Sequence, residues 1–456
     1  MAKTNIPRKP IYTHEGAKAS HINPELQLRR SVMSCLLFEG EFYEDGVSIS
    51  ERVRTLIPKV DPAVVADIAI KARTESNLRH MPLFIIKEMS RLKTYRPYVQ
   101  STLINVIKRA DELAEFLALY WKEGKVPIAN SIKKGLAECF KKFDEYQFAK
   151  YNRDGVIKLR DVMFLCHPNP DNKEQELLFK KIAENTLSTP DTWEVSLSKD
   201  DGVSKVEKWE RLLSENKMGA MALLRNLRNF NDSGVNSALV KDALINIKAE
   251  RVLPFRFVSA AKYAPQWEKE IEVGMLRCLS KHEKLGGKTI IIVDVSGSMY
   301  GSRISEKSEL DRAQAACALT ILLREVCEEP VIYATAGDDR KRVHKTRVVP
   351  SRHGFALSDV IYNLCQPLGG GGIFLRQVMD YVYDKENEAE RIIVITDEQD
   401  CDIAGSPAKA HTFGNKNYLI NVASNANGIG YGPWVHIDGW SESVINFITE
   451  LEKVKN

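Results

Sequence analysis

The stretch TIIIVDVSGSM, Thr289 to Met299, runs a series of β-branched residues into an aspartate and then sets two serines at two-residue steps. Asp294, Ser296 and Ser298 alternate along a short loop, so their oxygens can face one point, and Gly297 lets the backbone turn closely. Further on, the apolar run of VITDEQ ends in a second aspartate, Asp397. Two carboxylates and two hydroxyls form an all-oxygen site for a hard divalent cation. Mg²⁺ is the natural candidate, because it accepts few protein ligands and keeps several waters. The competing reading makes the serines helix caps and Asp294 the head of an Asx-turn. Placement directly after a strand-like run, with a second such aspartate downstream, favours the ligand reading. Two nearby motifs are excluded. HEKLGGKT has His282 where a phosphate-binding loop needs its first glycine, and a strand pattern follows Thr289 where that loop needs a helix. Neither serine sits in a GxSxG elbow, so a serine hydrolase is not indicated. The glycine run LGGGGIFL, Leu368 to Leu375, lacks a following lysine and is read as letting backbone approach the metal loop.

The elements that must position these residues change character along the chain. From about Leu26 to His282 the apolar residues recur at three- and four-residue steps, as in DPAVVADIAIKART, HMPLFIIKEMSRL, STLINVIKRADELAEFLALYW and SIKKGLAECFKKF. Breaks containing Pro, Gly or Asn separate them. A series of short amphipathic helices that pair and stack, an α-solenoid, is the economical reading over residues 1–284. The polar segment STPDTWEVSLSKDDGVSKVEKW reads as an insertion or long loop. After KHEKLGG, short and nearly continuous apolar runs (KTIIIVDV, EPVIYATAG, RIIVITDE, NYLINVAS) alternate with helical patterns, which predicts an open doubly wound α/β domain over residues 285–456. Such sheets bind ligands at the carboxyl ends of their strands, where Asp294 and Asp397 fall.

The 456 residues carry 44 % apolar and 28 % charged side chains, ordinary for a globular protein, and a formal net charge of only +4. The charge is unevenly spread: 28 Lys and Arg face 19 Asp and Glu within the first 160 residues, so the remainder is slightly acidic. The eight cysteines are scattered, with no CxxC pair, and support neither a disulfide framework nor a zinc site. The N-terminus lacks the apolar core of a secretory signal, and no run is long enough to span a bilayer. A reducing cytoplasm is the expected location.

Within the basic part, SRLKTYRPYV sets Arg91, Lys93 and Arg96 around Tyr95, interleaving phosphate-binding groups with an aromatic ring that could stack on a base. In SIKKGLAECFKKF, Lys134 and Lys141 share a helix face, flanked by Lys133 and Lys142. KYNRDGVIKLR adds Lys150, Arg153, Lys158 and Arg160. Such cations give affinity for a nucleic-acid backbone with little sequence preference. The alternative is a solvated Lys-rich surface.

The combination of DxSxS with a strand-end Asp resembles a von Willebrand factor type A domain and its metal-ion-dependent adhesion site. That family often has Gly-Gly-Thr in a second loop, whereas GGGGIF offers Gly372 at the Thr position, which removes one hydroxyl. MGAMALLRNLRNF (Met218 to Phe230), RVLPFRFVSA (Arg251 to Ala260) and KYNRDGVIKLRDVMFLCHPNP (Lys150 to Pro170) resemble the TROVE module of the Ro autoantigen family, in its bacterial or phage form. The order of these motifs, followed by DVSGSM, ITDEQ and DGWSESVINFI, follows that family from about residue 25 to the end. The resemblance implies a horseshoe of HEAT-like helical repeats closed into a ring by the A-type domain. It also implies a function: binding small structured Y-like RNA, and single-stranded 3′ ends of misfolded RNA, in RNA quality control without catalysis. His167 matches the family's RNA-contacting histidine. An exoribonuclease or other RNA-processing protein is an implied partner, with neither DNA nor a membrane, and the protein is expected to act as a monomer. A second reading is a protein-interaction scaffold that captures a partner's carboxylate through a bound Mg²⁺. A third, a metal-dependent hydrolase, would need Glu398 or Asp400 as its base.

Overall fold

The computed structural model describes residues 10–13, 18, 23–33, 46–76, 78–152, 155–190, 192–198, 200–249, 252, 254–301, 311–402, 416–423, 428, 434–439, 444, 448 and 452. They divide into two compact units, residues 50–212 and residues 1–49 together with 213–456. Among the described residues no helix is long and apolar enough to cross a membrane.

The helices run α1 (Pro24–Met33), α2 (Gly46–Leu56), α3 (Pro62–Thr74), α4 (His80–Arg91), α5 (Arg96–Val106) and α6 (Asp111–Tyr120). They continue through α7 (Asn130–Phe140), α8 (Glu145–Tyr151), α9 (Leu159–Cys166), α10 (Lys173–Glu184), α11 (Trp193–Ser198) and α12 (Lys205–Ser214). Local chemistry sets several starts. Asp61 caps α3, accepting the Ala63 N–H at 2.9 Å, with Pro62 at the first helical position. Asp144 and Gln147 form a reciprocal capping box at α8, with bonds of 2.7 and 3.0 Å. Within the unit of residues 50–212, α3 packs on α5, α5 on α7, and α7 on α9, while α4 packs on α6. Each helix thus meets the next but one, the pattern of stacked helical pairs. Gly135 permits one such approach, since a Cβ there would stand 2.9 Å from Leu103 Cδ1. Phe140 stacks on Phe148 (5.7 Å between centroids) and meets Phe179 edge-on (6.1 Å), which joins α7, α8 and α10 in one core.

Two stretches differ from the sequence reading. The long pattern STLINVIKRADELAEFLALYW breaks after Val106, because Ile107 turns extended and Glu112 accepts the N–H groups of Lys108 (2.8 Å) and Arg109 (3.2 Å). The polar segment read as a loop contains α11 and α12. Trp193 stacks on the buried Trp209 at 6.1 Å, and Ser204 with Glu207 caps α12.

In the other unit, α13 (Ala220–Ser233), α14 (Ser237–Ile245), α15 (Pro254–Tyr263) and α16 (Glu268–Leu279) precede an α/β sheet. The sheet contains β1 (Leu285–Asp294), β2 (Cys327–Asp338), β3 (Val343–Val348), β4 (Arg391–Thr396), β5 (Asn417–Asn421) and β6 (Val435–Asp438). Its helices are α17 (Arg312–Val326), α18 (Gly354–Tyr362) and α19 (Leu375–Glu386). The switch from helix to sheet therefore falls at Leu285, while α15 and α16 pack on α17 and share its compact unit. Strand order is β3-β2-β1-β4-β5-β6, with β3 antiparallel and the rest parallel. β1 and β4 lie at the centre, and every residue of β4 is buried. That explains their unbroken apolar sequence, since parallel strands covered on both faces have no polar side. Sequence inspection missed β3 because its residues, VHKTRV, are edge-strand residues, largely polar and exposed. Apart from residues 444, 448 and 452, the chain after residue 439, and with it most of the expected terminal helix, lies outside the described residues.

Candidate functional site

The chain leaves β1 toward β2 on one side and takes up β4 on the other side of β1, so a topological switch point lies between β1 and β4. Asp294 closes β1 and Asp397 follows β4, and both are fully buried there. The adjoining loop residues turn inward as the spacing predicts. Ser298 Oγ donates to Asp397 Oδ2 at 2.6 Å, and Ser296 Oγ stands 3.2 Å from Ser298 Oγ. Asp294 Oδ1 accepts the Ser296 N–H at 2.8 Å, and its Oδ2 accepts the hydroxyl of Thr396 at 2.6 Å. The four expected oxygen-bearing residues are therefore brought together. Thr396 joins them, a residue the sequence reading passed over although it directly precedes Asp397.

Burial and the neighbouring Asp397 push the Asp294 carboxyl well above the usual carboxylate range, against the hydrogen bonds from Ser296 and Thr396. No cation of the protein offsets the pair among the described contacts. Two buried carboxylates with a hydroxyl between them suit a divalent cation, which would supply the missing positive charge. Groups of three or more His, Cys, Asp or Glu side chains able to hold a metal are absent among the described residues, so such a site depends on the serine hydroxyls.

The glycine loop behaves as read, bringing backbone against the serine loop. Gly297 N–H donates to the Gly371 carbonyl at 3.1 Å, and Gly371 N–H to the Gly337 carbonyl at 3.1 Å. Gly372 donates its N–H to Asp339 Oδ1 at 2.9 Å. A Cβ on Gly372 would collide with Cys401 Sγ, so the threonine that resembling sites carry would require that thiol to turn away. The oxygen set here is two aspartates and two serines.

The two acids considered as a hydrolytic base differ in how they are held. Glu398, in the left-handed region at φ 60°, is ion-paired with Arg30 of α1 and with His436 of β6. Burial raises its pKa, but Arg30 and His436 outweigh that and hold it at about 2. His436, opposed by burial but facing Asp438 and Glu398, rises to about 9. Asp400 Oδ1 accepts the N–H groups of Leu375 (3.0 Å) and Asp402 (3.2 Å), and burial lifts its pKa to about 7 despite them. Glu398 is thus occupied by its two cations, whereas Asp400 Oδ2 is buried without a hydrogen-bond partner among the described residues.

The basic candidates all lie in the helical unit of residues 50–212, apart from Arg153, which lies outside the described residues. They separate into two groups. Arg91 is tied to Glu123 (2.8 Å) and Glu88 (3.3 Å). Lys141 is tied to Asp171 (2.7 Å) and Glu138 (3.3 Å). Lys142 turns back onto the carbonyls of Ile104 (2.6 Å) and Ile107, where a cation complements the end of α5. Of the expected pair, Lys134 is without a carboxylate partner among the described residues, whereas Lys141 would have to exchange its surface acids for phosphate. Tyr95 corrects the stacking expectation: its ring is buried and its hydroxyl reaches the carbonyls of Ile57 (2.6 Å) and Val60 (2.5 Å). The exposed ring in that turn is Tyr98.

Six cations remain without a carboxylate partner among the described residues. Lys93 and Lys134 are exposed, Lys133 is half-buried on α7, and Arg96 is exposed at the start of α5, bonded only to the Ser90 carbonyl at 3.3 Å. Lys150 sits 5.7 Å from the ring centres of both Tyr146 and Tyr151, and Arg160 5.5 Å from that of Phe164. Lys158, exposed at the start of α9 with its N–H bonded to Asp161 at 2.9 Å, is not one of these six. His167 ends α9 in the left-handed conformation at φ 47°, with its ring exposed. Such a backbone is uncommon outside glycine and presents the imidazole at a helix terminus.

Known proteins place the chain further. Residues 15–186 and 185–355 match the TROVE domain. Telomerase protein component 1 of Rattus norvegicus is 23 % identical over 393 residues, covering 66 % of this chain and 14 % of that protein. The Mus musculus protein of the same name is 22 % identical over 390 residues, covering 65 % and 14 %. The chain thus spans only about a seventh of those relatives. The crystal structure of the Deinococcus radiodurans Ro (RSR) protein shares the fold, with a TM-score of 0.63 at 15 % identity over 95 % of this chain and 100 % of that one.

Proposed function

The chain belongs to the TROVE domain family, whose members are RNA-binding proteins, and from that premise we propose that it is a non-catalytic RNA-binding protein of RNA quality control. In this reading it holds small structured, Y-like RNA and the single-stranded 3′ ends of misfolded RNA, and it works in the cytoplasm beside a processing ribonuclease. The observation that carries it is the set of unneutralised cations on the helical unit, Lys93, Arg96, Lys133, Lys134, Lys150 and Arg160, close in sequence to the exposed His167. Cations free of carboxylates displace condensed counterions from a phosphate backbone, which yields affinity that depends on salt and little on sequence. The test is a binding titration of a small structured RNA across several salt concentrations, with protein carrying Lys133→Glu and Lys134→Glu as the comparison. Affinity that falls linearly with the logarithm of salt, and less steeply in the variant, supports the proposal. Equal slopes would remove these two lysines from the interface, and no RNA binding by the parent protein would overturn the reading.

The two buried aspartates favour a second role beside the first, capture of a protein partner through a divalent cation. When bound, the cation would supply a coordination position for a partner's carboxylate. Asp294 and Asp397 would balance its charge, and Ser296 and Ser298 would hold it at the half-buried mouth of the loop. Partner capture should then be lost with a chelator while RNA binding persists.

A further inference from the structure

A groove of about 1000 Å³ opens on the helical unit between the turn after α6 and the segment leading into α9. One wall carries Trp121 and Val126, the other Val156, Ile157 and Phe164. Its apolar surface is open to water: Val156 is 100 % exposed, Phe164 50 % and Val126 49 %. Exposed apolar side chains that converge on one cleft mark a contact surface, whereas singly scattered ones do not. The volume stands at the upper end of the roughly 300–1,000 Å³ found for small-molecule clefts, and so admits more than one planar group.

Charge around the groove selects among occupants. Lys125 lies 5.3 Å from the ring centre of Trp121, and Arg160 lies 5.5 Å from that of Phe164. Lys122 stands on the same wall as Lys125. None of these three cations has a carboxylate partner among the described residues. The one acid lining the groove among the described residues, Asp161, is engaged by the Lys158 N–H at 2.9 Å. Glu123, next to Lys122 in sequence, is held by Arg54, Lys87 and Arg91 at 2.8–2.9 Å. Two aromatic rings, each already beside a cation, with a further cation on the rim, match the arrangement by which single strands are bound: bases on the rings and phosphates on the cations.

We propose that this groove is a base-stacking cleft for single-stranded RNA, in which Trp121 and Phe164 receive unstacked bases and Lys122, Lys125 and Arg160 hold the adjoining phosphates. The proposal rests on the RNA-binding reading and adds a place and a chemistry to it. The test measures affinity of the full chain for a short oligouridylate and for an abasic strand of equal length. Parent protein is compared with Phe164→Ala and with Val156→Asp, the latter at a fully exposed side chain, and circular dichroism of each variant verifies that it is folded. Loss of one stacked base should weaken oligouridylate binding on the order of tenfold and leave the weaker abasic binding unchanged. The carboxylate of Val156→Asp should weaken both strands. Oligouridylate bound equally by parent and both variants would overturn the cleft while leaving RNA binding intact, and would point to an acidic, apolar protein segment as occupant. Equal losses on both strands in Phe164→Ala would overturn stacking as the mechanism. A parent protein that binds neither strand would remove the cleft and the RNA-binding reading together.

Discussion

Replacing Gly372 with threonine would restore the hydroxyl that resembling metal sites carry, and the packing predicts that the chain resists it. A Cβ at that position stands 2.0 Å from Cys401 Sγ and 3.3 Å from Cys401 Cβ. Cys401 is 3 % exposed, and its backbone is pinned by a bond from its N–H to the Ile373 carbonyl at 2.8 Å. The backbone stays in place beside the bridge that joins residue 373 to residue 400, so the thiol has to rotate about its own Cα–Cβ bond inside a filled interior. Forcing extra atoms into a filled interior costs about 1–3 kcal/mol. A loss of ~2 kcal/mol would lower the melting temperature of a domain of this size by roughly 4–8 °C. Cys401→Ala removes the clashing sulfur and leaves the nearest atom at 3.3 Å, so the double variant should regain most of that loss. Thermal unfolding of the parent, both single variants and the double variant, followed by circular dichroism, reads the coupling directly. A Gly372→Thr protein as stable as the parent would show that the loop has slack the structure does not show, and the account of the missing hydroxyl would fail.

Three further outcomes follow from particular contacts. Tyr95→Phe removes a buried hydroxyl that serves the Ile57 and Val60 carbonyls, so it should cost about 1 kcal/mol in urea unfolding and leave RNA affinity unchanged; a large affinity loss would restore the ring as a contact. Arg160→Gln should lower the salt slope of RNA binding by about one, whereas Lys141→Gln, which loses only its links to Asp171 and Glu138, should leave the slope as it is. Hydrogen bonds from Lys87 and Arg91 hold the Glu123 carboxyl at about 2, below its ordinary value. The unfolded chain therefore binds the extra proton first, and the contribution of Glu123, present above about pH 4.5, fades as the pH falls through about 2. Glu123→Gln should flatten that acid-side loss in a pH series of urea midpoints, and an unchanged acid limb would show the carboxylate to be unpaired in solution.

The parts of the fold legible in the sequence are those where burial imposes a period. β1 and β4 read as strands because both faces are covered, and α3 and α7 read as helices because one side of each is buried against a neighbour. The exposed strand β3 carries no such pattern, and the stacking of Trp193 on the buried Trp209 that joins α11 to α12 is a tertiary event inside a polar stretch. The Ser204–Glu207 capping box was the available local signal there.

The metal loop was readable because its spacing does the work: three alternating residues at a strand end have few ways to point. Gly372 was readable as a departure, but not its reason, since Cys401 reaches it only through the folded chain. The basic residues were harder. A lysine in sequence gives no sign of whether an acid 30 residues away will neutralise it, as Asp171 does for Lys141. Tyr95 reads as a stacking ring between cations, but its hydroxyl serves the carbonyls of Ile57 and Val60 in the turn after α2, a contact no local pattern announces. The groove at Trp121 and Phe164 joins two segments separated by one helical pair, and no local pattern announces it.

The central claim is that this chain holds RNA through cations on its helical repeats, independently of the aspartate loop. The most direct measurement is a gel-shift titration with a stem bearing a free single-stranded 3′ tail, the same stem blunt, and an unrelated duplex, at two salt concentrations, with and without chelator. The account predicts tight binding that needs the tail, weakens with salt and ignores the chelator. Binding that disregards the tail, or that vanishes when divalent cations are removed, would contradict it.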